Sequence, residues 1–446
     1  MRKNKKIIFI ALTALILTAV FTGCKNKAEI VEDTSIFLSF QDIPGVTEND
    51  IKAVDALREQ ILNGRGHFVY GALPSTEAFY NDNGQIRGFS TLFCEWLTKL
   101  FDIPFKSEIV AWDNYLAAIE NFDVDFSGDL ASTEELQKIY FMTSSISTRT
   151  IRYYQIAGST PIERTMETSR LRCGFIENTS AINPVTSTLE SDSYEIVLVK
   201  NIDEAYKSLK SGAIHAFFNS NIAEAAFDVY GYVVVKDFQP LLFSPTSLAT
   251  LNPALEPIIS VVQKALEHGA LKYLATLYNE GYEEYLQRKL SLLLTEKEKE
   301  YIKKNPEIKF VAEYYNYPIS FYNIHEHEWQ GIAFELLSEI ERLSGLSFVL
   351  ANDEKTEWPD LLRMVEEGTA PLSAELVRSK DREGRFLWPK KASFVDKFVL
   401  ISKSEYPNLS TNEIMNARVG LTWGSVYAEV FNLWFPEHSH TVEYTS

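Results

Sequence analysis

At about 150 residues per domain, the 446-residue chain has room for roughly three compact units, and its 43 basic and 61 acidic side chains leave a net charge of −18. That balance excludes a general nucleic-acid binder, which needs a basic footprint to neutralise phosphates. An apolar share of 46% with 13% aromatics excludes global disorder, and a single long apolar stretch, at the very start, excludes a multispan membrane protein.

Arg2, Lys3, Lys5 and Lys6 precede an uncharged run, residues 7–22, which reads as the core of an export signal. The run ends in Phe21-Thr22-Gly23-Cys24, which resembles the lipobox of bacterial lipoproteins. The resemblance implies a signal peptide over 1–23 and Cys24 left as a lipidated N-terminus. An ordinary signal peptide or an uncleaved anchor is the alternative, and in each case the rest of the chain is exported. Its acidic surface is repelled by anionic lipid, so a lipid tether would hold it where charge would not. Cys24, Cys94 and Cys173 are too few for a disulfide framework and lack metal-ligand spacing.

Residues 24–65 read as a tether and lead-in, with a short helix within 50–62. From residue 66 the pattern is α/β. Strands are expected at 67–71, 105–110 and 124–127, with helices at 90–101 and 113–119. A second set follows: strands at 172–176, 195–199 and 214–218, helices at 202–209 and 221–229. Between the sets runs an extended β-branched segment, 146–156, and another, 241–250, follows the second set. Two helices, 254–268 and 271–286, close the series. Such alternation predicts mostly parallel sheets covered by helices. Two lobes joined by two crossing segments make a hinge with a ligand cleft between them.

The chain then repeats itself. Gly88 and Gly331 open matching helical patterns, and Phe105 matches Phe348 at the same offset of 243. Trp112 pairs with Trp358, Thr133 with Ser379, Gly174 with Gly420 and Thr179 with Ser425, each 246 apart. The fold expected is therefore α/β, two tandem bilobal domains: domain 1 at 66–292, a charged linker at 293–306, and domain 2 at 307–446. On the repeat, Ser446 matches residue 200 of the first copy, so the second copy is expected to be incomplete in its second lobe, either because the natural protein continues or because this copy is degenerate.

The ordered set Asn83-Gly84-Gln85-Ile86-Arg87-Gly88-Phe89, Trp112-Asp113, Ser132-Thr133-Glu134-Glu135 and Phe141-Met142-Thr143 resembles bacterial extracellular solute-binding proteins of family 3. So does Tyr317-Pro318-Ile319-Ser320-Phe321 with Gly331-Ile332, Ser379-Lys380-Asp381-Arg382 and Gly424-Ser425. The resemblance covers nearly all of 66–446. It implies the periplasmic-binding-protein-like type II fold, and the tandem arrangement is similar to the sensory regions of histidine kinases and diguanylate cyclases.

In that family an arginine at the fourth position of Thr-x-x-Arg grips the ligand carboxylate, for which a planar guanidinium fork is suited. Domain 2 keeps the set. Arg382 lies three after Ser379, Gly424-Ser425 opens a helix whose free amides complete an anion site, and Glu375, Trp358 and Tyr317 complete the candidate residues. The competing reading of Arg382 is a surface arginine in a charged run. Domain 1 departs: Leu136 holds the arginine's place and Ser220 falls where the family has an amine-binding acid. Its candidates are Asp129, Trp112, Phe79, Tyr80, Thr179 and Ser180, for a neutral or cationic solute or for none. Equally, those aromatics belong to a core and Asp129 caps a helix.

His325-Glu326-His327 reads as a solvated loop tip and His438-Ser439-His440 lacks a third ligand, so no metal or cofactor is expected. No nucleophile elbow or phosphate loop occurs, and no enzymatic activity is expected. The expected function is capture of a small polar solute, amino-acid-like or another carboxylate in domain 2, by clamshell closure outside the cytoplasm. An ABC permease is the expected partner. The alternative is an input module for a downstream signalling domain.

Overall fold

Strand β1, Phe68–Ala72, is buried along its whole length, as suits a parallel strand covered on both faces. The structure, a computed structural model, describes residues 37–444 apart from Ser132, Asn178 and Asp396 and the side chains of Trp112 and Asp113. The signal segment 1–23 and Cys24 lie outside the described residues. The chain divides into two compact units, Met1–Lys289 and Leu290–Ser446. The division falls three residues before the end expected for domain 1, inside the long helix Leu271–Leu293.

After β1, the first unit contains β2 (Phe79–Tyr80), β3 (Ile86–Arg87), β4 (Phe105–Ile109), β5 (Phe126–Ala131) and β6 (Phe141–Ile156). Next come β7 (Leu171–Ile176), β8 (Tyr194–Val199), β9 (Ala216–Ser220), β10 (Val233–Asp237) and β11 (Phe243–Thr250). The large sheet runs β4-β1-β5-β11-β6-β9-β7-β8, with β10 also on β6. β4, β1 and β5 are parallel, as are β8, β7 and β9. β11 runs antiparallel between β5 and β6. The first part of β6 pairs with β11 and its last part with β9 and β10. A strand of 16 residues spans about 50 Å at some 3.3 Å per residue, enough to serve two lobes.

Lobe one packs Phe68, Phe105 and Phe126 with ring centroids 5.2–5.7 Å apart beneath the helix Phe89–Phe101, which buries Phe93, Leu97 and Leu100. Each such aromatic contributes about 1.5–3 kcal/mol through burial. Lobe two has a core on each sheet face, Phe175 with Phe218 on one and Tyr154, Phe217 and Phe227 on the other.

Three elements differ from expectation. Residues 37–65, read as tether and lead-in, fold onto lobe one. The helix Glu48–Asn63 is capped reciprocally by Thr47 and Asp50 and buries Val54 and Leu57. Lys264 grips Asp50 at 2.7 Å, and Arg58 Nη2 donates to the Phe101 carbonyl at 3.1 Å. The helix expected at 221–229 is only Glu224–Phe227 after a tight turn at Asn221–Ala223, because the Asn221 side chain accepts the Thr150 N–H of β6 at 3.1 Å. The run Val233–Asp237, not expected as a strand, joins β6 as β10.

The second unit repeats the first ladder. β12 (Glu307–Val311) lies between β16 (Ser347–Leu350) and β17 (Leu372–Ser373), and β14 (Ser320–Asn323) lies between β13 (Tyr315–Asn316) and β15 (Glu328–Gln330). Phe68 pairs with Phe105 in β1 and β4, and Ile308 with Phe348 in β12 and β16. Tyr70 faces Phe126 as Phe310 faces Leu372. β18 (Val419–Thr422) pairs in parallel with β19 (Thr441–Tyr444), repeating β7 and β8. The stretch that corresponds to β6 forms no strand, and Val395, Val399 and Ile401 in it are exposed. The charged linker is mostly the helix Glu296–Lys304, capped by Thr295 and Glu298.

Candidate functional site

In copy one the end of β5 carries Asp129 into a buried polar group. Its Oδ2 accepts the Leu73 N–H and the Tyr115 hydroxyl, each at 3.0 Å. Its Oδ1 takes Arg149 Nη2 at 2.5 Å. Arg149, on β6, also donates through Nε and Nη2 to Glu77 at 3.0 and 2.6 Å, a bidentate pair. Burial opposes the charge on Arg149, and Glu77 and then Asp129 more than offset it, so the guanidinium holds its proton more firmly than usual. Burial, followed by Asp129, drives the Tyr115 phenol far upward.

The other candidates of domain 1 are dispersed. Phe79 is buried against Tyr285, with ring centroids 5.8 Å apart, and the Arg288 guanidinium lies over its ring. Tyr80 is half exposed and its carbonyl accepts Arg288 Nε at 2.6 Å. Thr179 Oγ1 accepts the Ala181 N–H in the turn after β7, with Ser180 between them. Ser220, at the end of β9, offers its carbonyl to the Tyr154 hydroxyl at 2.8 Å. The Trp112 side chain lies outside the described residues.

In copy two, four of the candidates meet. Arg382 is 2% exposed, lies over the Trp358 ring at 5.7 Å, and donates through Nη2 to the Gly424 carbonyl at 3.3 Å. Trp358 Nε1 donates to the same carbonyl at 3.3 Å. Gly424 has a positive φ of 69°, which turns the chain so that Ser425 caps the helix Val426–Trp434 by accepting the Ala428 N–H. Residues from both lobes of the copy thus converge at one helix start. Burial lowers the affinity of Arg382 for its proton, and Glu429 at 3.4 Å partly opposes this. Ser379 Oγ is buried without a hydrogen-bond partner among the described residues.

Glu375 is the counterpart of Asp129. It accepts the Glu313 N–H at 2.5 Å, Ser320 Oγ at 2.5 Å and Asn316 Nδ2 at 3.0 Å. Burial raises its pKa against those three bonds. Burial and then the neighbouring Glu375 push the Glu313 carboxyl up to about 7. Tyr317 is exposed, packs at a tilt against Phe321 with ring centroids 5.0 Å apart, and borders an open pocket of about 810 Å³ with Pro318, Trp329 and Phe334. Arg382 and Trp358 are not part of that lining.

Sequence reasoning missed Arg149, Glu77, Glu313, Asn316 and Ser320. A charged residue in the middle of a β-branched crossing segment was the available signal for Arg149. Among the described residues no group of three or more His, Cys, Asp and Glu side chains is placed to hold a metal ion. His327 closes a turn on Asn323, and His438 is tied to Thr441 and the Ala417 carbonyl. Among the described residues no helix is long and apolar enough to cross a membrane.

Two parallel half-sheets, tied by one strand that leaves lobe one and another that returns to it, define the architecture of copy one. It is a two-lobed clamshell of the type II plan. No family model and no curated protein matches the chain. Solved structures similar to it include an amino acid ABC transporter substrate-binding protein, AbpA from Streptococcus pneumoniae, bound to L-arginine, at 15% identity over 51% of this chain and 98% of that one, TM-score 0.38. An ancestral arginine-binding protein bound to arginine is 20% identical over 50% of this chain and 98% of that chain, TM-score 0.39. The VFT2 domain of Bordetella pertussis BvgS is 15% identical over 50% of this chain and 97% of that domain, TM-score 0.41.

Proposed function

We propose that the chain is an extracytoplasmic solute receptor whose second copy grips a small amino-acid-like ligand by closure of its two lobes. The observation that carries this is the meeting of Arg382 and Trp358 on the Gly424 carbonyl, at the start of a lobe-two helix. A ligand carboxylate would displace that carbonyl from the guanidinium and take the free amides of the helix start. On lobe one, the neighbouring carboxyls of Glu313 and Glu375 form an acid pair, which suits an ammonium or guanidinium. A zwitterion carries both charges.

Isothermal calorimetry on the full chain with L-amino acids, L-arginine first, tests the reading. Arg382→Ala should weaken binding by at least about tenfold, the loss of one charge-assisted bond of roughly 1.5–3 kcal/mol. Equal affinity in wild type and variant overturns it.

A second reading, the input arm of a signalling protein, is favoured by the tandem of two clamshell sequences in one chain joined through a capped helix. Ligand-dependent changes in the linker helix Glu296–Lys304, read by hydrogen exchange, would support it over transport. Anchoring at Cys24 is part of the proposal and is tested by loss of labelled fatty-acid incorporation in Cys24→Ala.

A further inference from the structure

Arg149 lies in the middle of a buried crossing strand, and its guanidinium is enclosed by Glu77 and Asp129, with all three side chains at most 8% exposed. The two carboxylates leave little for a solute to bind: Glu77 is paired through both oxygens, and Asp129 takes Arg149 on one and Leu73 and Tyr115 on the other. Copy two is built otherwise. Glu375 stands where copy one has Asp129, Ile319 where it has Glu77, the acid Glu313 takes the place of Leu73, and the position matching Arg149 falls on Phe394 or Val395, both uncharged. Leu136 in turn replaces the guanidinium that copy two has in Arg382.

The surroundings of Arg149 also join the lobes of copy one. The Thr76 N–H, one residue from Glu77, donates to the Ile222 carbonyl of lobe two at 3.1 Å. The Thr150 N–H, next to Arg149, donates to Asn221 Oδ1, and Asn221 Nδ2 reaches the Tyr278 hydroxyl at 3.4 Å. From Tyr278 the long helix continues to Glu284, which accepts the Gly88 N–H of lobe one at 3.0 Å. One residue on, Tyr285 donates to Asp228 of lobe two at 2.8 Å.

The geometry points to Arg149 as an internal substitute for a bound cation: copy one is a clamshell closed on its own guanidinium, and it keeps that shape without a solute. Copy one is then the fixed arm of the chain and copy two the responsive one. That division, though not the closure itself, rests on the reading of copy two as the binding arm.

Hydrogen exchange on the full-length chain, with no solute added, tests the closure. In wild type the Thr76 and Thr150 amides should be strongly protected. Arg149→Ala should speed their exchange at least about tenfold, and millimolar methylguanidinium, far below denaturing concentrations, should restore protection. Arg149→Lys, which keeps a cation but not the bidentate fork, should give an intermediate rate. Fast exchange in wild type, unchanged rates in the variants, or no rescue by methylguanidinium each overturns the proposal. If Arg149→Ala does not fold, the wild-type rates and Arg149→Lys decide. Arg382→Ala, which disables the site of copy two, should leave all these rates unchanged, so the two readings fail separately.

Discussion

Asp129 and Glu375 hold one structural position in two copies: each accepts the N–H of a residue just past the first strand of its sheet, from Leu73 at 3.0 Å and from Glu313 at 2.5 Å. What differs is the company they keep. Asp129 shares a guanidinium with Glu77, while Glu375 has hydroxyl, amide and backbone donors and a second acid beside it. The same backbone socket thus serves an internal ion pair in one copy and an acid pair in the other.

The acid pair makes the second unit pH-sensitive. Burial raises the Glu313 carboxyl from 4.5 to about 7, so in that window the folded state binds more protons than the unfolded one. Its contribution to stability is complete below about 4.5 and is lost as pH rises through about 7. Urea unfolding of the second unit should show stability falling over this range, by up to about 3 kcal/mol from Glu313, and Glu313→Gln should reduce the slope to the smaller share that the buried Glu375 carboxyl contributes. A cationic ligand should release a proton on binding near pH 6, visible as a buffer-dependent heat in calorimetry.

Removing the guanidinium of copy one leaves two buried carboxylates uncompensated. Arg149→Ala should destabilise the first unit by about 3–5 kcal/mol at pH 7. Thermal unfolding of the variant against wild type measures the loss.

Gly281 lies inside the long helix, where alanine is ordinarily favoured by about 1 kcal/mol. Here a Cβ would stand 2.3 Å from the Phe89 nitrogen and 2.8 Å from the Gly88 carbonyl carbon. Gly281→Ala should therefore destabilise the first unit by about 1–3 kcal/mol, with the sign reversed from helix propensity. Denaturant unfolding of the variant decides the sign.

The repeat itself can be tested through Gly88 and Gly331. Their φ values are 99° and 126°, and an added Cβ would lie 2.6 Å from the Glu77 carbonyl oxygen and 2.4 Å from that of Ile319. Alanine at either position should destabilise its own unit by about 1–3 kcal/mol, with the other unit's transition unmoved.

The elements of copy one were largely legible because each lobe alternates apolar strands with amphipathic helices, and those periods survive in a single sequence. The repeat was legible for the same reason: Gly88 and Gly331 each sit where a side chain cannot fit, so the glycine persists in both copies. In the 37–65 segment the helix was legible from the apolar positions around Val54 and Leu57, but its docking was not, because those residues and Phe40 and Ile43 are spaced among charges and find their partners only against lobe one. β10 was missed because Val233–Asp237 is a strand only through its pairing with β6.

By itself the sequence determined the α/β alternation and the duplication, since these depend on spacing along the chain, while the candidates Arg382, Trp358, Gly424 and Ser425 came from the resemblance to a known family. The tertiary structure alone decided which charges meet. Glu77, Asp129 and Arg149 are 20 or more residues apart in sequence, and whether a buried charge is a ligand contact or an internal ion pair depends on what stands opposite it across the fold, through a Coulomb interaction that periodicity does not encode.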